Sequence, residues 1–481
     1  MSAFQSLWLL YLISLLLIPV VITKKDKPVT SVAWLLTIVF LPVVGAVIFL
    51  IFGTDRITNR GRKKLTSNAI LRIRLREIEE EWAPNKAQMA RNEMPKELET
   101  IRKLCQQLSL FDVVGYNQVD ILVDAEDTYL KIEEAIEAAT EHINVEYYIF
   151  RPDKTGRRFR DLLANKAKQG VKINFLYDAI GSYKLGWDRT FLQGFWEAGI
   201  EPKEFLPLRT FFRPWNMNLR NHRKILVIDN QIGFTGSLNI GDDFLAKNQP
   251  KGVNWRETHL MIRGPAAAQL QWVFCEDWYF ATDEELLSPQ YFKPVDACGK
   301  EIVQVVASGP DESEEVIHKA VIMAVNQARN SVYITSPYFI PDQALSLSLE
   351  MAAMRGVDVR LLVPARSDHT LVSYAGRSYY DNLLRNYVRI YEYKRGYLHA
   401  KMMIVDGKFT VIGSANVDIR SFSYNFEVNV QIYGDSIANR AKKIFFRDLE
   451  NSRELVAESY LNRPAYIRFS ENFCRLFSPV L

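Results

Sequence analysis

The chain has 481 residues, with 60 Lys+Arg against 56 Asp+Glu and a formal charge of +4. That length exceeds what one hydrophobic core usually serves, so two soluble domains plus terminal segments are expected, and the small net charge gives no electrostatic case for nucleic acid as a partner. The four cysteines lie far apart without C-x-x-C spacing and the six histidines show no short ligand spacing, which argues against a disulfide framework or zinc site and predicts chemistry without metal or cofactor.

Residues 2–23 and 28–54 carry no charged side chain. Each run can cross a bilayer core, which takes about 20 apolar residues. The connector Lys24-Lys25-Asp26-Lys27 forces them antiparallel, so residues 1–54 are predicted to form a retained two-helix transmembrane hairpin. Residues 55–110 follow as a basic juxtamembrane linker. Arg56, Arg60, Arg62, Lys63, Lys64, Arg72, Arg74 and Arg76 outnumber the connector's three lysines, which places the rest of the chain in the cytoplasm of a multi-pass cell-membrane protein. Residues 69–82 read as a linker helix whose arginines could also meet anionic headgroups.

An internal repeat organises the remainder. Residues 142–153 can be laid on 331–342 so that Phe150, Pro152 and Asp153 match Phe339, Pro341 and Asp342, and in both copies the block follows an Ala-rich helical stretch and precedes a Gly-Val strand. Helix, strand, helix, strand predicts an α/β fold, and a period of about 180 residues indicates duplication of a domain rather than a solenoid. Copy one is placed at 111–285 and copy two at 300–481.

Each copy carries the same constellation: His222-x-Lys224-x4-Asp229 followed by Gly236-Ser237-x-Asn239, and His399-x-Lys401-x4-Asp406 followed by Gly413-Ser414-x-Asn416. Histidine and lysine two apart on a strand project to one face. Imidazole can attack phosphorus or move a proton, ammonium offsets phosphate charge, and the serine and asparagine can donate to phosphate oxygens. Asp229 and Asp406 each end a strand before a turn and are read as structural. His142 and His318 at the helical stretches, and His259 beside Glu257, are read as structural too, whereas His369, with Tyr374 and Arg377 following, is a candidate for contact with a headgroup.

The duplicated H-x-K-x4-D motif resembles the phospholipase D superfamily. The resemblance implies two tandem phospholipase D-type domains with sheets flanked by helices, sharing one active site. It also implies a glutamate that orients each histidine, carried over here to Glu257 and Glu427, and a phosphohistidine intermediate, with His222 as nucleophile and His399 as acid and base. Over essentially the whole chain, including residues 208–224, 336–342 and 471–481, the sequence is similar to the bacterial cardiolipin synthases. That similarity implies transfer of a phosphatidyl group between two phosphatidylglycerols, giving cardiolipin and glycerol with no cofactor; a hydrolytic phospholipase D or a phosphatidylserine synthase is the alternative. The aromatic and arginine mixture at 208–220 reads either as core or as an interfacial segment. Phe469, Phe473, Leu476 and Phe477 share one face of a predicted C-terminal helix, expected to pack on the domain.

Overall fold

The computed structural model describes residues 11–12, 14–24, 28–50, 86–109, 111–207, 218–246, 254–286, 288, 291–293, 295–311, 314–367 and 369–478. The basic residues 56–76, the linker pattern at 69–82 and the aromatic residues 208–217 lie outside the described residues.

The first half supplies β1 (Val114–Val123), β2 (His142–Tyr147), β3 (Lys172–Asp178), β4 (Lys203–Phe205), β5 (Lys224–Ile228), β6 (Ile232–Gly236) and β7 (Thr258–Arg263). The second supplies β8 (Glu301–Ser308), β9 (Ser331–Thr335), β10 (Asp358–Pro364), β11 (Arg389–Tyr393), β12 (Met402–Val405), β13 (Phe409–Gly413), β14 (Asn425–Tyr433) and β15 (Ser452–Glu454). They form one continuous sheet in the order β15-β11-β10-β9-β12-β13-β14-β8-β1-β7-β6-β5-β2-β3-β4. Read outward from the antiparallel β8–β1 junction, where Val114 lies opposite Val303, the halves have the same strand pattern, to which the second adds the edge strand β15. The two copies are thus fused through a shared sheet rather than joined as separate sheets.

Alternation along the strands sorts the core into layers. Ile225 and Val227 of β5, Leu260 and Ile262 of β7, and Met402 and Ile404 of β12 face a cluster that also holds Trp272 and Phe445, from the helices Pro265–Thr282 and Asp435–Glu450. That cluster spans both halves. Leu226, Ile228 and Met261 face the opposite layer of the first half, and Met403 and Val405 that of the second. The repeated Pro-Asp motif has a physical cause: Asp153 and Asp342 cap the helices Lys154–Lys168 and Gln343–Met354, accepting from Gly156 N and Leu345 N at 3.0 Å each. His142 opens β2 and His318 lies in the helix Val316–Gln327.

The transmembrane hairpin is not shown among the described residues, and the packing expected of the C-terminal helix meets a different outcome. The second apolar run is divided into the helices Pro28–Phe40 and Pro42–Ile48, because Pro42 has no N–H to continue the helix, and among the described residues no helix is long and apolar enough to cross a membrane. The C-terminal helix Ala465–Arg475 does not pack through its apolar face. Its buried side chain is Glu471, whereas Phe469 is 71% and Phe473 52% exposed.

Candidate active site

Each H-x-K-x4-D motif is built on a hairpin. Asp229 and Asn230 between β5 and β6, and Asp406 and Gly407 between β12 and β13, have φ of 52°, 59°, 52° and 65°. Asp, Asn and Gly tolerate this left-handed region, which a tight hairpin turn requires. Asp229 then accepts from the backbone N–H groups of Thr140, Glu141 and His142 at 2.8–2.9 Å, and Asp406 from those of Arg329, Asn330 and Ser331 at 2.7–2.9 Å. Both carboxylates staple the hairpin to the entry of β2 or β9, at the opposite strand end from the histidine.

At the other end the two halves exchange strands. Arg220–Asn221, just before His222, pairs with Asn425 and Phe426 of β14, and Gly396–Leu398, just before His399, pairs with Asn254–Arg256 of the first half. Phe426 O accepts from His222 N and Arg256 O from His399 N, at 2.9 Å each. Each histidine backbone is therefore pinned beside the glutamate of the other copy. His222 Nδ1 lies 2.9 and 3.0 Å from the two oxygens of Glu427, and His399 Nδ1 lies 2.8 Å from Glu257 Oε1. The pairing is crossed: the first-half glutamate serves the second-half histidine, and the reverse.

Burial alone would raise both carboxyl groups, but the attraction of His399 and Lys401 on Glu257, and of His222 and Lys224 on Glu427, with their hydrogen bonds, holds each at about 2. An ionised carboxylate only accepts, so each Nδ1 carries the proton and each Nε2 is the reactive nitrogen. Burial drives the His222 imidazole down to about 4 against the pull of Glu427, with Lys224 and Lys401 pushing further down. His399 is lowered for the same reasons, burial first, against Glu257. Both rings are neutral at neutral pH, and each feels both lysines, as one shared centre requires. Lys224 Nζ donates to His222 O at 2.6 Å and Lys401 Nζ to His399 O at 2.7 Å, which brings each amino group beside its histidine; burial lowers Lys224 well below the ordinary lysine value, against the pull of Glu427.

Ser237 and Ser414 differ from the expectation that they donate to phosphate. Ser237 donates to Glu257 and Ser414 to Glu427, and each hydroxyl oxygen accepts a backbone N–H, from Thr258 and Val428, at 2.9 Å. A hydroxyl has one proton, and here it stabilises the carboxylate. Asn239 Oδ1 accepts from Ile149 N at 3.2 Å, and Asn416 Oδ1 is buried without a partner among the described residues.

Four charged residues escaped the sequence reading. Arg223 donates to Glu427 O at 3.1 Å and pairs with Asp277; Arg256 donates to Glu257 O and pairs with Asp448, its Nη2 at 2.8 Å. All four are buried, so a guanidinium fixes the backbone under each site glutamate. Their signal was positional: an arginine directly after His222, another directly before Glu257, and an aspartate inside each of two otherwise apolar helix faces. Edge-on aromatic rings flank the histidines, Tyr148 at 4.9 Å from His222 and Trp255 at 5.4 Å from His399. His259 is buried on β7, His318 bridges Glu315 and Asp342, and His369 is exposed, 5.8 Å from the Tyr338 ring.

A duplicated α/β unit giving one histidine, one lysine and one crossed glutamate per half to a common centre is the architecture of a phospholipase D-type enzyme. Residues 132–278 and 321–449 match the family model described as "Cardiolipin synthase, PLD-like domain", and residues 7–53 match "Phospholipase_D-nuclease N-terminal". A cardiolipin synthase of Geobacillus sp. (strain WCH70) is 40% identical over 467 residues, covering 96% of this chain and 91% of the relative. One from Geobacillus kaustophilus (strain HTA426) is 39% identical over 472 residues, covering 97% and 92%. The crystal structure of a phosphatidylserine synthase from Haemophilus influenzae Rd KW20 shares the fold, with a TM-score of 0.59 at 14% identity, covering 79% of this chain and all of that one. The chain belongs to the cardiolipin synthases, phosphatidyltransferases of the phospholipase D type.

Proposed function

We propose that the enzyme moves the phosphatidyl group of one phosphatidylglycerol onto the glycerol headgroup of a second, through an adduct on His222. The crossed pair of buried His–Glu dyads carries this reading, because it offers two Nε2 atoms to one phosphodiester. Neutral His222 attacks phosphorus as His399 protonates the departing glycerol oxygen; His399, now neutral, takes the proton of the second lipid's hydroxyl, which attacks phosphorus and releases His222. Lys224, Lys401, Asn239 and Asn416 hold the phosphate oxygens, and Ser237 and Ser414 support Glu257 and Glu427. Burial lowers Lys224 well below the ordinary lysine value, against the pull of Glu427, and an anionic substrate favours its charged form. A phosphodiester monoanion then favours one additional proton, and His399 takes it although burial keeps the ring neutral in the empty site.

The halves 111–285 and 300–481 are read as the two copies of one ancestral domain. Residues 1–54 are read as a membrane hairpin holding them at the cytoplasmic face. Outward-facing Leu16, Ile22, Phe40 and Val44 support the hairpin, as do the two uncharged runs and the basic residues that follow them. Purified protein given phosphatidylglycerol as the sole lipid should yield cardiolipin and glycerol in equal amounts. Phosphatidic acid without cardiolipin would put water in place of the second lipid and overturn the transferase reading.

A further inference from the structure

The helix Ala465–Arg475 sits on the protein the wrong way round for a core element. Its seat is polar: Arg463 donates to Glu471 at 2.7 Å and to Asp381 at 2.9 Å, and Glu471 is buried. The opposite face of this helix and the turn after it displays Tyr466, Phe469, Phe473, Leu476 and Phe477, between 41% and 73% exposed. Phe473 touches Phe469 and Phe477 at ring-centroid distances of 6.5 and 5.6 Å. At 100° per residue these five fall within one stripe of about 100°, the width by which an amphipathic helix meets a second phase.

Beside that stripe lies a cavity of about 240 Å³ lined by Ser346, Ser378, Tyr379, Asn382, Arg468 and Arg475. Asp381 and Glu471 also line it, but both carboxylates are paired with Arg463. Neither Arg468 nor Arg475 forms an ion pair among the described residues, so two carboxylates and three guanidinium groups leave the recess one positive charge in excess. Hydroxyls and amides complete its lining. This is the complement of a phosphodiester monoanion carrying a polyol, presented next to an apolar stripe.

We propose that the C-terminal helix and this recess form a second lipid-binding site, separate from the catalytic centre. The aromatic stripe enters the acyl region of a bilayer while Arg468 and Arg475 hold the phosphodiester of an anionic phospholipid at headgroup depth. The site rests on the reading of the chain as a membrane-bound enzyme. It would hold the catalytic halves against the anionic lipid they consume.

The test is photolabelling of the full chain in liposomes containing a phospholipid with a photoactivatable acyl chain, with either a phosphatidylglycerol or a phosphatidylcholine headgroup, followed by peptide mapping. Label is expected on peptides within 465–478, favouring the phosphatidylglycerol probe. The variant with Phe469, Phe473 and Phe477 changed to Ser should lose roughly tenfold of that label. Arg468→Gln with Arg475→Gln should abolish the headgroup preference while keeping the label. Peptides within 28–50 serve as an internal reference for insertion, and an unchanged thermal melt shows that the variants fold. Absence of label on 465–478, or label unaffected by both sets of substitutions, would overturn the proposal. Cardiolipin formation measured on the same samples reports the catalytic reading separately: product without label refutes the lipid site, and label without product refutes the function.

Discussion

Replacing Glu257 by Gln should impair the histidine of the other half. Glu257 lies in the first copy, yet its carboxylate is 2.8 Å from His399 Nδ1, so the substitution removes the counter-ion of the ring proposed to act as acid and then as base. A hydrogen bond to a charged group contributes about 1.5–3 kcal/mol, which corresponds to about 10- to 150-fold in rate for a step in which His399 gains or gives up its proton. His222 keeps Glu427 at 2.9 Å and should still attack. With a phosphatidyl ester of p-nitrophenol, whose leaving group needs no acid, Glu257→Gln is expected to release nitrophenol in a rapid burst of one equivalent and then turn over slowly. Glu427→Gln should slow the burst itself by the same factor. Stopped-flow absorbance separates the two phases. If Glu257→Gln suppresses the burst while Glu427→Gln leaves it intact, the histidine roles are reversed; equal effects of both on both phases would reject a division of labour.

Three further outcomes follow from the same geometry. Acid-quenched mass mapping should find a phosphatidyl adduct on His222 in the His399→Ala variant with the activated ester and none in His222→Ala, whereas an adduct at position 399 would reverse the assignment. His318, raised to about 9 by Asp342 and Glu315 against the opposing effect of burial, binds its proton more tightly folded than unfolded, so its contribution to stability is full below about 6.5 and is lost as pH rises through 9. Urea midpoints of the wild type should fall relative to His318→Gln across that window, and parallel profiles would refute the linkage. A reporter fused after Leu481 should lie in the cytoplasm and one inserted at Asp26 outside; the opposite accessibility to a membrane-impermeant thiol reagent would invert the proposed orientation.

The repeat and the motif were legible because they rest on local physics. Alternation in β5 and β12, the helix caps Asp153 and Asp342, and the turns at Asp229 and Asp406 each involve residues near in sequence or repeated in register. The crossing was not legible. His222 and Glu427 are 205 positions apart, and His399 and Glu257 are 142 apart. No pattern within one copy says which histidine a glutamate will meet, since only the strand exchange at Arg220–Asn221 and Gly396–Leu398 decides it. The direction of the C-terminal helix was hidden for a different reason: amphipathy specifies two unlike faces but not which one meets the protein. Here the pair of half-buried Arg463 with buried Glu471 settled the question in favour of the polar side.

The crossing also explains how one duplicated site can hold two unlike histidines. If each glutamate served its own copy, the copies could separate with their dyads intact; because the partners are exchanged, each dyad exists only when β1 and β8 are joined and the shared core around Trp272 and Phe445 is formed. With the halves in one chain, the two positions no longer need to be identical. Arg256 precedes Glu257 where Phe426 precedes Glu427, and Arg223 follows His222 where Ala400 follows His399. Trp255 lies edge-on to His399, while the corresponding Asn425 donates to Glu427 at 3.3 Å. These differences place a polar amide on the carboxylate behind His222 and an indole against His399, where the ring against His222 is the phenol of Tyr148. Unlike surroundings for like imidazoles are what a two-step displacement needs, since one ring must stay neutral to attack phosphorus while the other exchanges a proton with each glycerol oxygen in turn.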